Sequence, residues 1–182
     1  MGKSWVAGVI LIAGLASSSA AAVDGISIQF GIGAGSSNGS GTEMARAALQ
    51  WDWKQQWFQG KDWHVGGFWD VGLGYWKRDA LPGQHGDLYD FGVTPVFRLE
   101  KNDLEGPYVE AGVGVHLLSE TSLGDKNFST SFQFGSQLGI GYRFGAHHAF
   151  DVSYSYQHLS NGGIKKPNDG IDFHQIRLQY HF

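Results

Sequence analysis

Apolar and polar residues alternate along most of the chain, with the two-residue period of β-strands whose side chains point to opposite faces. In segment 26–36, for example, Ile26, Ile28, Phe30 and Ile32 alternate with small or polar residues. The pattern predicts eight strands, each near the roughly 9 to 11 residues of a tilted membrane strand. The predicted strands are 26–36, 43–53, 62–76, 87–100, 107–119, 130–143, 150–160 and 172–182.

Away from the strand ends, the charged residues of these strands share one face, and the aliphatic and aromatic residues share the other. In strand 87–100, Asp90 and Arg98 have the parity opposite to that of Phe91 and Phe97. Membrane barrels turn their apolar face outward, and an eight-stranded barrel is narrow enough for polar side chains to fill its interior. Closure also pairs every strand edge, as lipid requires. The pattern therefore predicts an all-β, eight-stranded antiparallel transmembrane β-barrel, with a secreted β-sandwich as the alternative.

Composition narrows the chemistry and the partners. The chain has 28 Gly and 7 Trp but no Cys, which excludes thiol chemistry and cysteine-ligated metals. The formal net charge of −4 has the wrong sign for nucleic-acid binding. We expect no metal and no other cofactor, and membrane lipid as the surroundings. The sequence leaves a homodimer open.

The first 22 residues are organised like a secretory signal. Lys3 is followed by an apolar run over 5–15 and by the small residues Ala20-Ala21-Ala22. The apolar run is far shorter than the roughly 20 residues of a transmembrane helix. The sequence thus predicts a signal peptide at 1–22, a barrel domain at 23–182 and a location in a bacterial outer membrane.

The lengths of the predicted connections indicate an orientation. The long connections are 77–86, 120–129 and 161–171, and the mostly shorter ones are 54–61, 101–106 and 144–146. Long loops of such barrels are extracellular, so the 161–171 loop is expected outside. Polar residues that flank it would lie at the level of the outer leaflet, where even a charge on the lipid face costs only about 0–1 kcal/mol.

The last predicted hairpin carries candidate catalytic residues. His158 and Ser160 continue the apolar parity of its first strand, and Asp172 continues that of its second. If the strands pair symmetrically about the middle of their loop, His158 lies opposite Asp172. Serine needs a neighbouring base to become a nucleophile, and the base needs a third group that orients it. We assign Ser160 as nucleophile, His158 as general base and Asp172 as orienting carboxylate, with Asp169 as the alternative acid.

The loop beyond Ser160 offers hydrogen-bond donors for an oxyanion. They are the backbone N–H groups of Asn161, Gly162 and Gly163 and the side-chain amide of Asn168. The alternative without chemistry is a histidine and a serine at the membrane interface, since a His-x-Ser triplet is common.

Longer motifs add a family resemblance. The run His158-Leu-Ser160-Asn161-Gly-Gly-Ile-Lys-Lys-Pro167-Asn168-Asp169-Gly170-Ile resembles the signature of the PagL family, the outer-membrane lipid A 3-O-deacylases. Segments Trp51-Asp-Trp53, Phe68-Trp69-Asp70-Val-Gly and Pro107-Tyr-Val-Glu110-Ala-Gly-Val-Gly114 are also similar to that family. The resemblance covers essentially all of segment 23–182.

The resemblance implies a barrel that hydrolyses the ester-linked 3-hydroxyacyl chain at the 3-position of lipid A, the membrane anchor of lipopolysaccharide, without a metal. It matches His158 and Ser160 to the family's His and Ser, and Asn168 to the Asn associated with its site. Asp172 stands where the family commonly has Glu, so this acid must approach the imidazole more closely. The active site is expected to face the outer leaflet.

Two other functions stay open at this point. A non-enzymatic barrel with a structural or adhesive role would tolerate substitutions at 158 and 160. An outer-membrane phospholipase would release fatty acid from phospholipid, often with a requirement for calcium.

Overall fold

The strands of this protein form a closed antiparallel barrel. The structure is a computed structural model that describes residues 22–34 and 41–182. Its strands are β1 Gly25–Gly33, β2 Thr42–Asp52, β3 Trp63–Arg78, β4 Asp87–Lys101, β5 Gly106–Leu118, β6 Ser122–Leu123, β7 Lys126–Asn127, β8 Phe132–Phe144, β9 Phe150–Ser160 and β10 Ile171–His181. A 3₁₀ turn spans Ala146–His148. Residues 1–21 of the predicted signal peptide lie outside the described residues. The end of the predicted first strand, at 35–36, also lies outside them.

Eight of the ten strands make the barrel, in the order β1-β10-β9-β8-β5-β4-β3-β2, while β6 and β7 pair only with each other. The barrel closes between β1 and β10, in a register that runs from Gly25 opposite His181 to Gly33 opposite Phe173. The predicted eight-stranded transmembrane barrel is therefore confirmed. Each predicted strand matches an observed one with ends that shift by a few residues.

Side chains of the barrel strands alternate between a polar interior and an apolar exterior. Ile28 is 49% exposed and its neighbour Gln29 only 5%. Tyrosine, tryptophan and phenylalanine side chains such as Trp63, Tyr89 and Tyr142 add exposed aromatic surface, as in the girdles of membrane barrels. This inverted polarity agrees with the prediction and suits a barrel surrounded by lipid. No helix in the described ranges is long and apolar enough to cross a bilayer.

The interior is held together by a buried ionic network. Arg98 donates to Asp151 and to Glu110 at 3.1 Å each, and Arg177 donates to Glu110 at 2.6 Å. The Tyr108 hydroxyl donates to Asp151 at 2.8 Å, and the Arg98 guanidinium lies 3.8 Å from the Tyr108 ring centroid. Because β4, β5, β9 and β10 each contribute a member, the network ties both sides of the barrel together.

One end of the barrel is closed by apolar side chains, a feature that the alternating pattern of the sequence did not predict. This loop end carries connections 79–86, 119–131 and 161–170, while the opposite, terminal end carries the first and last residues of the barrel. The buried apolar side chains at the loop end form one cluster, the apolar plug, of Met44, Trp76, Leu88, Leu118, Leu123, Phe128, Leu159, Ile171 and Phe173. Leu123 and Phe128 come from the connection that holds β6 and β7, so this connection folds over the barrel mouth.

Glu110→Gln should destabilise the barrel strongly, because it leaves Arg98 and Arg177 buried without their shared carboxylate. The expected loss in the free energy of unfolding is about 3–5 kcal/mol. It can be measured by urea denaturation of the protein refolded into lipid vesicles. Asp103→Asn is the control, since Asp103 forms its ion pair with Lys101 in an exposed turn and should change stability little. Equal stability of the two variants would contradict a structural role for the network.

Candidate active site

The pairing of β9 with β10 brings a histidine and a carboxylate together on the outside of the barrel. His158 lies directly opposite Asp172 in this register. The His158 Nδ1–H donates to Asp172 Oδ1 at 2.6 Å. A carboxylate only accepts, so the bond fixes the tautomer with the proton on Nδ1 and leaves Nε2 as a base. The pairing expected from the symmetry of the hairpin is observed.

The two partners differ in exposure. The His158 side chain is 46% exposed, whereas the Asp172 side chain is only 12% exposed. The Tyr156 hydroxyl, two residues from His158 toward the terminal end of β9, also interacts with Asp172. The short aspartate side chain therefore reaches the imidazole, and it interacts with a tyrosine on the same face of β9.

Ser160 lies on the same outward face of β9, two residues beyond His158, and is half-buried. Gly170 packs beneath both residues, because a β-carbon added there would lie 3.2 Å from His158 Cε1 and 3.6 Å from Ser160 Cβ. The described structure contains no hydrogen bond between the Ser160 hydroxyl and His158. Catalytic hydrogen bonds often form only in the complex with substrate, so the arrangement supplies a serine next to an oriented base.

The 161–170 loop uses some of the predicted oxyanion donors for its own folding. The buried Asn161 side chain donates through Nδ2 to Phe128 O at 2.9 Å and to Lys165 O at 2.7 Å. Asn161 Oδ1 accepts from Gly163 N, and Asn168 Oδ1 accepts from Asn161 N. Gly162 N and Asn168 Nδ2 are thus the two predicted donors for which the described structure shows no acceptor.

Asp169, the alternative acid, has a different partner. Its Oδ2 accepts from Asn127 N at 2.7 Å, and its own N donates to Asn127 O at 3.2 Å. These bonds join the 161–170 loop to the β6–β7 hairpin. The structure therefore favours Asp172 over Asp169 as the partner of His158, and it shows that the hairpin supports the site loop.

Other titratable clusters lie away from this site. The buried His116 Nδ1 bonds to Asp90 at 2.9 Å inside the barrel, and the exposed His85 pairs with Glu120 at 3.5 Å. Among the described residues, no group of three or more His, Asp or Glu side chains is arranged to hold a metal ion.

Comparisons with known proteins agree with the fold and the motifs. The family model described as lipid A 3-O-deacylase (PagL) matches residues 43–181. The chain is 33% identical to lipid A deacylase PagL of Pseudomonas aeruginosa, over 91% of this chain and 92% of the relative. It is 31% identical to lipid A deacylase PagL of Bordetella bronchiseptica, over 87% of this chain and 83% of the relative.

A solved structure is similar as well. The crystal structure of the outer membrane enzyme PagL superposes with a TM-score of 0.75 and 30% identity, and the match covers 87% of this chain and 99% of that one. The residues that the family model matches run from β2 to the end of β10 and include the final hairpin. This chain belongs to the PagL family of lipid A 3-O-deacylases.

Proposed function

We propose that this protein is a serine esterase of the outer membrane that hydrolyses the ester-linked 3-hydroxyacyl chain at the 3-position of lipid A. The observation that carries the proposal is the His158–Asp172 pair on the outward face of the barrel, with Ser160 two residues away on the same face. A base, its orienting acid and a hydroxyl at one membrane-facing site are what ester hydrolysis within a lipid layer needs. Family membership supplies the substrate class.

The proposed reaction has two halves. In the first, the Ser160 hydroxyl oxygen attacks the ester carbonyl carbon while His158 Nε2 takes the hydroxyl proton. The tetrahedral oxyanion then collapses, the sugar oxygen leaves with the proton from His158, and the acyl chain stays on Ser160. In the second half, His158 activates a water molecule that attacks the acyl-enzyme. A 3-hydroxy fatty acid is released and Ser160 regains its proton.

Asp172 and the loop donors stabilise the charges that develop in this reaction. Asp172 faces the imidazolium that forms when His158 takes the proton, and the bond at Nδ1 keeps Nε2 directed at the reacting atoms. Gly162 N and Asn168 Nδ2 are the donors available to the oxyanion. Asn161 acts indirectly, since its three side-chain bonds hold the loop that presents them.

Two features support an orientation with the site at the outer leaflet. The site lies at the loop end, which also carries the long 119–131 connection, and long loops of such barrels are extracellular. Lys165 and Lys166 are exposed in the loop that follows Ser160, where cationic side chains suit the phosphates of lipid A. The direct test is mass spectrometry of lipid A from cells with and without the protein. Loss of one hydroxyacyl unit supports the proposal, whereas unchanged lipid A or free fatty acid from phospholipid would overturn it.

Ser160→Ala and His158→Ala should each lower deacylation by at least about a thousandfold, because the members of such a site act as a unit. The double variant should be little worse than either single one. The rate is measured on purified protein by mass spectrometry of lipid A. Heat-modifiable migration on gels verifies that each variant folds. Substantial activity in folded Ser160→Ala would refute the nucleophile assignment.

Asp172→Asn should cost less activity than Ser160→Ala. The amide retains a side-chain oxygen opposite His158 but no longer carries the charge that stabilises the imidazolium. Asp172→Glu is the matched control, since it keeps the carboxylate and should retain more activity than Asp172→Asn. The measurement is the deacylation rate of Asp172→Asn, Asp172→Glu and Ser160→Ala on the same lipid A preparation. A loss for Asp172→Asn as large as that for Ser160→Ala would show that the acid is as indispensable as the nucleophile.

Gly170→Ala should lower activity while the barrel still folds. The new β-carbon would lie 3.1 Å from Leu159 O and 3.2 Å from His158 Cε1, and would press on the imidazole. Gly163→Ala is the matched control, because Gly163 also has positive φ, at 84°, but has open space around its Cα. Both variants carry the backbone strain of a non-glycine residue in this region, so a larger loss of kcat for Gly170→Ala isolates the crowding of His158. Equal losses would argue against it.

A further inference from the structure

Polar side chains on the outward face of the barrel are concentrated around His158. Away from the strand ends, the outward positions of the described barrel strands hold apolar, aromatic or small residues, with three exceptions, Ser136, His158 and His174. Other polar or charged outward residues are among the first two or last two residues of a strand, at Glu43, Lys77, Asp87, Lys101, Ser160 and Asp172. His158 belongs to the proposed catalytic site together with Ser160 and Asp172, so Ser136 and His174 need another explanation.

His174 has a partner within the protein. Its Nδ1 lies 2.6 Å from the Tyr154 hydroxyl, and its ring stacks on Tyr154 with the centroids 6.0 Å apart. Ser136 differs, because the described structure gives its hydroxyl no hydrogen-bond partner. It is exposed on β8 and lies directly opposite His158 in the β8–β9 pairing. An unpaired hydroxyl that faces hydrocarbon is unfavourable unless a ligand satisfies it.

Ser136 and His158 line the same groove in the outer wall of the barrel. The groove has a volume of about 370 Å³ and is otherwise walled mainly by apolar or aromatic side chains, among them Phe97, Ala111, Val113, Leu138 and Tyr156. It extends from His158 across β8 and β5 to β4. A groove with these walls suits a hydrocarbon chain, and the Ser136 hydroxyl is a polar group set within it beside the base. His174 is not among the residues that line the groove.

We propose that Ser136 binds the hydroxyl group on the acyl chain that is removed, and so selects 3-hydroxyacyl chains over unsubstituted ones. The inference rests on the proposed function and adds the residue that recognises the hydroxyl. Ser160 lies opposite Phe134, and Ser136 is the next outward residue of β8, so the two serines are diagonal neighbours about 7–8 Å apart. When the ester carbonyl is at Ser160 and the chain enters the groove, its third carbon passes Ser136.

A groove that faces hydrocarbon offers few other hydrogen-bond partners to a hydroxyl group. A hydroxyl moved from water into hydrocarbon loses its hydrogen bonds, and Ser136 restores one of them. A chain without the hydroxyl leaves Ser136 unpaired instead. Sites that hydrogen-bond a substrate hydroxyl reject the analogue that lacks it for this reason. One such bond corresponds to a preference of roughly tenfold in kcat/KM.

The test compares two synthetic lipid A analogues with acyl chains of equal length at the 3-position, one with and one without the 3-hydroxyl. Hydrolysis of each by the purified full chain in mixed micelles is followed by mass spectrometry. Wild-type protein should favour the hydroxylated analogue, and Ser136→Ala should lose roughly tenfold of that preference. Ser136→Thr keeps a hydroxyl and should retain the preference. Val113→Ala alters an apolar wall of the same groove and should change both rates in parallel.

Each outcome decides a separate point. A Ser136→Ala protein that keeps the wild-type preference, or a wild-type protein without preference, would overturn the role of Ser136 while leaving the esterase intact. Loss of preference in Ser136→Thr as well as in Ser136→Ala would also count against it, because the hydroxyl would then not be the selecting group. Wild-type protein that hydrolyses neither analogue would overturn the proposed function itself, and this inference with it.

Discussion

Every backbone N–H and C=O group in a bilayer must be hydrogen-bonded within the protein, and this constraint sets the geometry of the whole molecule. The chain meets it by pairing β1 with β10, which leaves no free edge among the barrel strands. Closure of the ring fixes every register in it. A slip of one residue between β9 and β10 would move His158 away from Asp172. Such a slip also turns every side chain of the shifted strand to the other face, so a shift of β9 would point the imidazole into the lumen. The proposed site at His158 and Asp172 therefore depends on the same strand pairing that satisfies the backbone hydrogen bonds of the barrel in the bilayer.

The inner faces of β9 and β10 reinforce this register. Inside the barrel, Gln175 of β10 donates to Gln157 of β9 at 2.6 Å. Asp151 of β9 accepts from Arg98, and Arg177 of β10 donates to Glu110. These residues alternate with the outward-facing ones along the two strands. Each of the two strands thus has an inner row of side chains whose hydrogen bonds hold the register and an outer row that includes the proposed catalytic groups. The polar interior therefore stabilises the register on which the outer site depends.

Alternation of polarity was enough to predict the strands, the inverted polarity and the pairing of His158 with Asp172, because these depend on positions close together in one hairpin or one strand. The apolar plug was not predictable in this way. Leu123 and Phe128 come from a connection without long alternation, and they meet partners that are distant in sequence. The role of Asn161 was missed for the same reason, since its amide bonds to Phe128 O across 33 residues. The position of Ser136 opposite His158 was not predicted, because it depends on the register between β8 and β9 and not on the alternation within either strand.

The proposed catalytic site lies on the lipid-facing side of the barrel, where weak screening by water strengthens electrostatic interactions. Asp172 is largely covered, so its attraction for an imidazolium at His158 is weakened little by water. His158 remains accessible, as a base that must reach a substrate has to be. The substrate of such a site is itself a component of the membrane, already confined to the plane in which the groove opens. A protein that acts on such a lipid needs no deep pocket to extract it from water, and the selection proposed for Ser136 requires only a shallow groove with one polar group.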